Sequence, residues 1–414
     1  MRQGPEKHRS TGLNRREFLG VGALPLVAGL AAKDLGAKSI GTGHEITEPE
    51  MKTMQSAQAI VRVGLVGAGG IVRRAQLPNF RRIPGCEVVA VANRSLASSQ
   101  RVAEEFNIPT AYANWRELLE DESVDAVMIG TPPYMHSTVT LETLEAGKHV
   151  LCQSRMAMNA GEAKDMLEGA LRHPDLVCQL VVNPYQRALK RLIDDGYLGE
   201  LLSADVRRLG SDASAGASPD RRRGFVEFGQ DLHWRVDPDF NGFNIPLGLG
   251  AAYEGLSHLL GRATRVTAMS KVHAPQRRAA DGEMVSKGGV DHVDVLYEVA
   301  NGAQVHLRVS TTTALAGGSQ TWLFGSEGTI QVAGGRILGG RRGDSELREV
   351  PDPPQEPGPR RVGVEERFIN TIRGDAENTT ESLEIGVDYM EFSEAVHRSA
   401  QTGRAVNLPL QVED

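Results

Sequence analysis

Ile60 to Val66 reads Ile-Val-Arg-Val-Gly-Leu-Val, Gly67-Ala68-Gly69-Gly70 closes it, and a helix-like stretch runs from Ile71 to Arg82. No other feature narrows the fold of this chain as much. A near-continuous apolar run of this length suits a strand buried on both faces of a parallel sheet. Glycines behind such a strand let backbone amides approach an anion at a helix start, where the dipole favours negative charge. Gly67 and Gly69 meet the first two places of G-x-G-x-x-G, and Val72 holds the third. A glycine turn with no ligand fits the same residues, so the neighbouring sequence has to decide.

Strand and helix patterns alternate from Ile60 to Val182. Further apolar strands are read at Glu87 to Ala92, Val124 to Gly130, Lys148 to Cys152 and Leu176 to Val182, with helices at Ser137 to Gly147 and Ala160 to Arg172. This order predicts an α/β domain over residues 58–183, a doubly wound parallel sheet of the Rossmann kind. Ligands of such sheets lie beyond the C-terminal strand ends, here Gly67, Asn93, Thr131 and Gln153. A dinucleotide on this turn implies NAD or NADP. Where NAD binding uses an acidic residue on the adenosine ribose, this chain has Asn93, followed by Arg94 and Ser95. A neutral side chain there does not repel a 2′-phosphate, and Arg94 could pair with it, which favours NADP over NAD. An Asx helix cap at Asn93 is the alternative.

After Asn183 the period changes. Apolar residues alternate at Val293, Val295, Tyr297 and Val299, and again at Val305, Leu307 and Val309. These read as half-buried antiparallel strands. A strand at Glu200 to Leu209, a turn into a strand over Gly325 to Val332, and helices at Tyr185 to Asp195, Leu249 to Leu260, Glu365 to Arg373 and Glu381 to Ala400 complete the pattern. Residues 184–414 are therefore expected to form an α+β domain with an open, mostly antiparallel sheet and helices on one face. Arg221-Arg222-Arg223 tips a polar loop, and the prolines of 351–360 mark a linker.

Asn14-Arg15-Arg16-Glu17-Phe18-Leu19 precedes a short, small-residue apolar run from Gly20 to Ala32. Twin arginines in this setting read as a Tat export signal over residues 1–32, with a linker at 33–57. The expected location is the periplasm or the medium, with an uncleaved leader as a possible anchor and the Tat translocation machinery as a transient partner. A formal net charge of −7 with no long basic block argues against nucleic acid as a partner. Cys86, Cys152 and Cys178 sit on or beside apolar strands, form no C-x-x-C spacing, and read as buried small hydrophobes. Glu254 and His258 share one helix face, but two ligands fall short of a metal site, and none is expected.

The whole from about Val61 to Leu410 resembles the Gfo/Idh/MocA oxidoreductase family. The resemblance rests on Val61 to Gly70, Thr-Pro-Pro-Tyr-Met-His at Thr131–His136, Glu145 to Cys152, Gly-Tyr-Leu-Gly-Glu at Gly196–Glu200, and the tail from Arg367 to Leu408. It implies a nicotinamide cofactor, a sheet domain covering it, and hydride transfer with a sugar-like hydroxyl. It also implies that Gly67, Gly69, Gly70 and Ile71 hold the pyrophosphate, Asn93 and Arg94 the adenosine ribose, and Thr131, Pro132 and His136 the fourth strand end. His136 fits a helix cap as well.

At the catalytic positions the chain departs from this family. Gln153-Ser154-Arg155 stands in place of the usual Glu-Lys-Pro, so no lysine polarises the substrate oxygen. The family's histidine base is sought in the segment Gly248 to Glu254, where either register gives alanine. Alcohol oxidation still needs an acceptor for the hydroxyl proton. The replacement set read from the sequence is His233 as base, Arg235 and Arg155 as anion holders, Trp234 as a stacking face and Tyr253 as proton donor. A structural network with Arg235 on Asp237 and His233 capping a turn is the alternative. The leading expectation is an exported NAD(P)-dependent oxidoreductase acting on a carbohydrate- or polyol-like small molecule, with a homo-oligomer expected from the open sheet. A nicotinamide-dependent glycosidase or lyase with no net redox, and a non-catalytic sugar- or cofactor-binding protein, are the competing expectations.

Overall fold

The computed structural model describes residues 60–182, 186–210, 230–246, 248–316, 318–350 and 362–411. The export segment, the 33–57 linker, Arg221 to Arg223 and the 351–360 linker lie outside the described residues.

Six parallel strands build the first sheet: β1 (Val61–Val66), β2 (Cys86–Ala92), β3 (Thr110–Tyr112), β4 (Ala126–Ile129), β5 (His149–Cys152) and β6 (Cys178–Leu180). Their order is β3-β2-β1-β4-β5-β6, the doubly wound arrangement. Every residue of β4 is buried, as a strand covered on both faces requires. Behind the glycine turn the chain makes a π-type turn over Val72–Gln76 and then helix α1 (Leu77–Phe80), where a single regular helix is expected from the sequence. Helices α2 (Leu96–Phe106), α3 (Trp115–Glu120), α4 (His136–Glu145) and α5 (Ala160–Arg172) follow. Ser95, Asn114 and Asn159 cap α2, α3 and α5 through side-chain oxygens.

The second sheet draws on strands β7 (Leu201–Leu209), β8 (Ala263–Lys271), β11 (His292–Val299), β12 (Gln304–Ser310), β13 (Gln320–Gly325), β14 (Gly328–Ala333), β15 (Arg336–Arg341), β16 (Arg348–Glu349) and β17 (Val406–Asn407). Strands β9 (Gln276–Arg278) and β10 (Met284–Ser286) pair apart from it. The order is β16-β15-β14-β13-β7-β12-β11-β8-β17, antiparallel except where β12 runs parallel to β7. The alternating valines of β11 and β12 face inward, as their period dictates. Helices α6 (Arg187–Asp194), α7 (Pro238–Asn241), α8 (Gly248–Leu260), α9 (Val364–Ile372) and α10 (Glu381–Thr402) complete the chain. Tyr389, Phe392 and Val396 of α10 join the core behind this sheet. Phe368 and Ile369 of α9 instead belong to the core of the first sheet, with Val61, Val63 and Leu65. The C-terminal segment thus returns to the first domain and ties it to the second.

Candidate active site

The chain turns at Gly67 with φ +84°, and a Cβ there would sit 2.7 Å from the Thr131 amide nitrogen. Only glycine serves at this position, on both counts. The next amides are consumed locally: Gly67 N–H donates to Ala92, Ala68 N–H to Asn93 Oδ1 at 2.8 Å, and Gly69 N–H to the Gly67 carbonyl. Among the described residues the amides of Gly70 and Ile71 meet no acceptor. A Cβ on Gly69 would find no atom nearer than 4.0 Å, so the surface above it is open to a ligand. These two free amides, the open backbone at Gly69 and the exposed Arg74 beside Gly70 fit a diphosphate.

Asn93 is a clamp as well as a strand end. Its Oδ1 holds the Ala68 amide, its Nδ2 donates to the Ser98 carbonyl at 3.2 Å, and its own N–H donates to Ser99 Oγ at 2.8 Å. Ser95, not Asn93, caps α2, by accepting from the Ser98 amide. Arg94 is exposed at the same edge.

At the end of β4, Thr131 and Pro132 lead into α4. The Thr131 Oγ1 atom is buried with no partner. His136 is buried and bridges two strand ends: Nε2 lies 2.8 Å from the Thr131 carbonyl, and Nδ1 lies 2.8 Å from that of Arg155 and 3.2 Å from that of Met156. Burial pulls its pKa below the ordinary 6.5, against the pull of the three carbonyls. The ring holds the loops together beneath the site and is not a helix cap.

The segment after β5 is held from the second domain at five successive points. Arg155 Nη1 donates to Glu254 Oε2 at 2.8 Å, and its guanidinium lies 4.7 Å from the centre of the Tyr389 ring. The Met156 amide donates to Tyr389 Oη at 2.6 Å. Asn244 Nδ2 donates to the Ala157 carbonyl, the Phe243 amide to that of Met158, and the Ala160 amide to Glu394. Gly242, at φ +53°, lets its loop lie against Met158, whose carbonyl oxygen would be 2.2 Å from a Cβ. Gln153, at the head of this segment, is half-buried and accepts from Gln76 Nε2 at 3.4 Å.

The polar cluster read from the sequence divides. The loop of residues 230–246 does adjoin the strand ends, through the contacts of Phe243 and Asn244 and through Phe240, whose ring meets Tyr134 edge-on at 5.1 Å. Within it His233 is exposed and accepts from the Arg235 amide, capping a turn. The Arg235 guanidinium lies over the Trp234 ring at 4.7 Å. Asp237 is buried, caps α7 and faces Lys287 at 3.9 Å.

Tyr253 is a correction. It is fully buried in the core of the second domain, stacked on Phe392 at 3.8 Å, and it accepts from the Ala263 amide while donating to Asp388. Burial raises its pKa beyond that of a free phenol. No substrate reaches it, because an apolar residue of α8 with a satisfied hydroxyl packs under β8 whatever the site above requires. Arg155 is also buried, so it is an ion-pair partner in a domain contact before it is an anion holder. The sequence places Glu254 and His258 on one face of α8, but nothing in it names Arg155 as the partner of Glu254. Among the described residues no group of three or more ligands could hold a metal.

Comparison with known proteins agrees with this architecture. Residues 61–180 match the profile described as an oxidoreductase family with an NAD-binding Rossmann fold, and residues 186–331 match the GFO/IDH/MocA C-terminal domain. Trans-1,2-dihydrobenzene-1,2-diol dehydrogenase of Mus musculus is 27% identical over 280 residues, 66% of this chain and 73% of that protein. Levoglucosan dehydrogenase of Pseudarthrobacter phenanthrenivorans is 26% identical over 271 residues, 59% of this chain and 65% of that protein. In structure, levoglucosan dehydrogenase in complex with NADH and L-sorbose superposes with a TM-score of 0.68 at 20% identity, over 85% of this chain and 99% of that one. The WlbA dehydrogenase from Bordetella pertussis, in complex with NADH and UDP-GlcNAcA, gives 0.66 at 20% identity, over 85% and 100%. Together the two profiles span more than half of the sequence, and the chain belongs to the GFO/IDH/MocA family of oxidoreductases, with an NAD-binding Rossmann domain.

Proposed function

We propose that this chain is an exported NAD(P)-dependent dehydrogenase that oxidises a hydroxyl of a diol, polyol or sugar-like small molecule. One observation carries the reading: the buried Arg155–Glu254 pair fixes helix α8 to the end of β5, beside the dinucleotide turn. The nicotinamide supplies the hydride acceptor when bound. The protein must then take the hydroxyl proton. His258 lies one helical turn from Glu254 on the same face of α8 and is the proton acceptor in this reading. His233, exposed and tied to its own turn, is the weaker candidate. Relatives named for a dihydrobenzene diol and for levoglucosan support a substrate with neighbouring hydroxyls.

The absence of a carboxylate at Asn93, with Arg94 exposed beside it, supports tolerance of a 2′-phosphate and hence use of NADP. The twin-arginine leader supports Tat export to the periplasm or beyond. Met269 and Leu296, exposed on β8 and β11, support pairing of the open sheet face in a homo-oligomer.

The test is turnover of a diol and sugar panel with NAD⁺ and NADP⁺, followed by the absorbance of the reduced ring. His258→Ala is expected to lower kcat by about 100-fold or more, and His233→Ala by only a few-fold. Equal activity of His258→Ala and the parent defeats the assignment of the base. Bond cleavage with no net cofactor reduction, or tight binding with no turnover, defeats the dehydrogenase reading itself.

A further inference from the structure

Three polar groups with open valences lie at the ends of β4 and β5 and on the turn behind the glycines. Gln76, on the π-type turn behind the glycines, is only 4% exposed, yet its Oε1 has no partner. Its Nε2 donates to Gln153 Oε1 at 3.4 Å, across the end of the sheet. Thr131 Oγ1, at the end of β4, is likewise buried and unpartnered. The Gln153 backbone is pinned by its N–H to the Ile129 carbonyl at 2.9 Å, so its side chain projects from a fixed strand end.

A buried acceptor left without a donor is costly, and native structures seldom leave one without a reason. The missing ligand group must therefore bring N–H donors to Gln76 Oε1. It must also accept from Gln153 Nε2 or Thr131 Oγ1. A primary carboxamide carries both functions on one planar group. A carboxylate carries no donor and would set an anionic oxygen against Gln76 Oε1. Both glutamines are neutral, so recognition here rests on hydrogen-bond direction and not on charge.

We propose that Gln153 and Gln76, with Thr131, form the subsite that reads the carboxamide of the nicotinamide ring. Gln153 contacts the carboxamide; Gln76 contacts it and orients Gln153. This rests on the NAD-binding assignment, and the experiment separates the two.

Calorimetry on the full chain compares NAD⁺, its deamidated analogue bearing nicotinic acid, and ADP-ribose, which lacks the ring. The parent is expected to bind NAD⁺ at least about 10-fold tighter than the deamidated form, because a site built around a ligand N–H rejects the analogue without it. Gln153→Leu and Gln76→Leu are expected to bring that ratio close to 1, with ADP-ribose affinity unchanged. A parent that does not discriminate, or variants that keep the parent's ratio, overturns the proposal. If a leucine variant also loses ADP-ribose, the near-isosteric Gln153→Glu decides. Its carboxylate should push the deamidated analogue off further and raise the ratio, and an unchanged ratio overturns the proposal. If the parent binds neither NAD⁺ nor ADP-ribose, the cofactor assignment fails first and the subsite fails with it.

Discussion

Arg155 and Glu254 meet at 2.8 Å across 99 positions of sequence, and neither side chain is more than 6% exposed. One stands just past β5 of the Rossmann sheet and the other in α8 of the second domain. Tyr389 completes the contact, with its ring against the guanidinium and its hydroxyl on the next amide.

A buried pair is strongly coupled, because removing one partner leaves the other charged and desolvated. Arg155→Met or Glu254→Leu alone is expected to destabilise the protein by about 3–5 kcal/mol, and the double variant by much less than the sum. Denaturant unfolding of the four proteins measures the coupling. Additive losses would show that the two side chains do not act as a pair.

Gly67 and Gly69 should respond differently to alanine. Gly67→Ala meets a left-handed backbone and the Thr131 amide at 2.7 Å, so both folding stability and nucleotide binding should fall. Gly69→Ala has space, with no atom nearer than 4.0 Å, and should unfold like the parent. Its methyl would nevertheless stand where a diphosphate approaches, and nucleotide affinity should drop by about 10-fold or more. Thermal melts and equilibrium binding separate the two effects.

Tyr253→Phe should leave kcat/KM within about twofold of the parent while costing roughly 1–2 kcal/mol of stability, since the hydroxyl satisfies the buried Ala263 amide and no substrate. A large loss of kcat in a stably folded variant would return Tyr253 to the chemistry.

Asp388 gives a pH signature. Burial raises its pKa from 3.8 to about 6, against the opposing pull of Arg262. The folded state therefore holds this proton more tightly than the unfolded chain does. Its contribution to stability is full below about pH 4 and is lost as pH rises through about 6. Asp388→Asn should flatten the pH dependence of Tm across that window. A slope equal to the parent's would exclude Asp388 as its source.

The parallel domain was legible because its evidence is local. Buried strands announce themselves as apolar runs, and the turn at Gly67 needs glycine for reasons confined to a few residues. The valines of β11 and β12 were legible for the same reason, as a two-residue period is a property of the strand alone. Strand β8 was not, since only Ala263, Val266 and Ala268 of its nine residues turn inward and no regular alternation survives. Short β3, half-buried throughout at the sheet edge, left no pattern either.

Pairing across the chain is what tertiary structure alone decided. Sequence identified Arg155 and Tyr253 as unusual residues but not their surroundings, and both lie buried among side chains far away in the chain. The parallel junction of β7 with β12 and the return of α9 to the first core likewise join segments separated by many elements. A residue's type limits which bonds it can make. Which of them form depends on the distant groups that folding brings within reach, and on the burial that makes a missing partner costly.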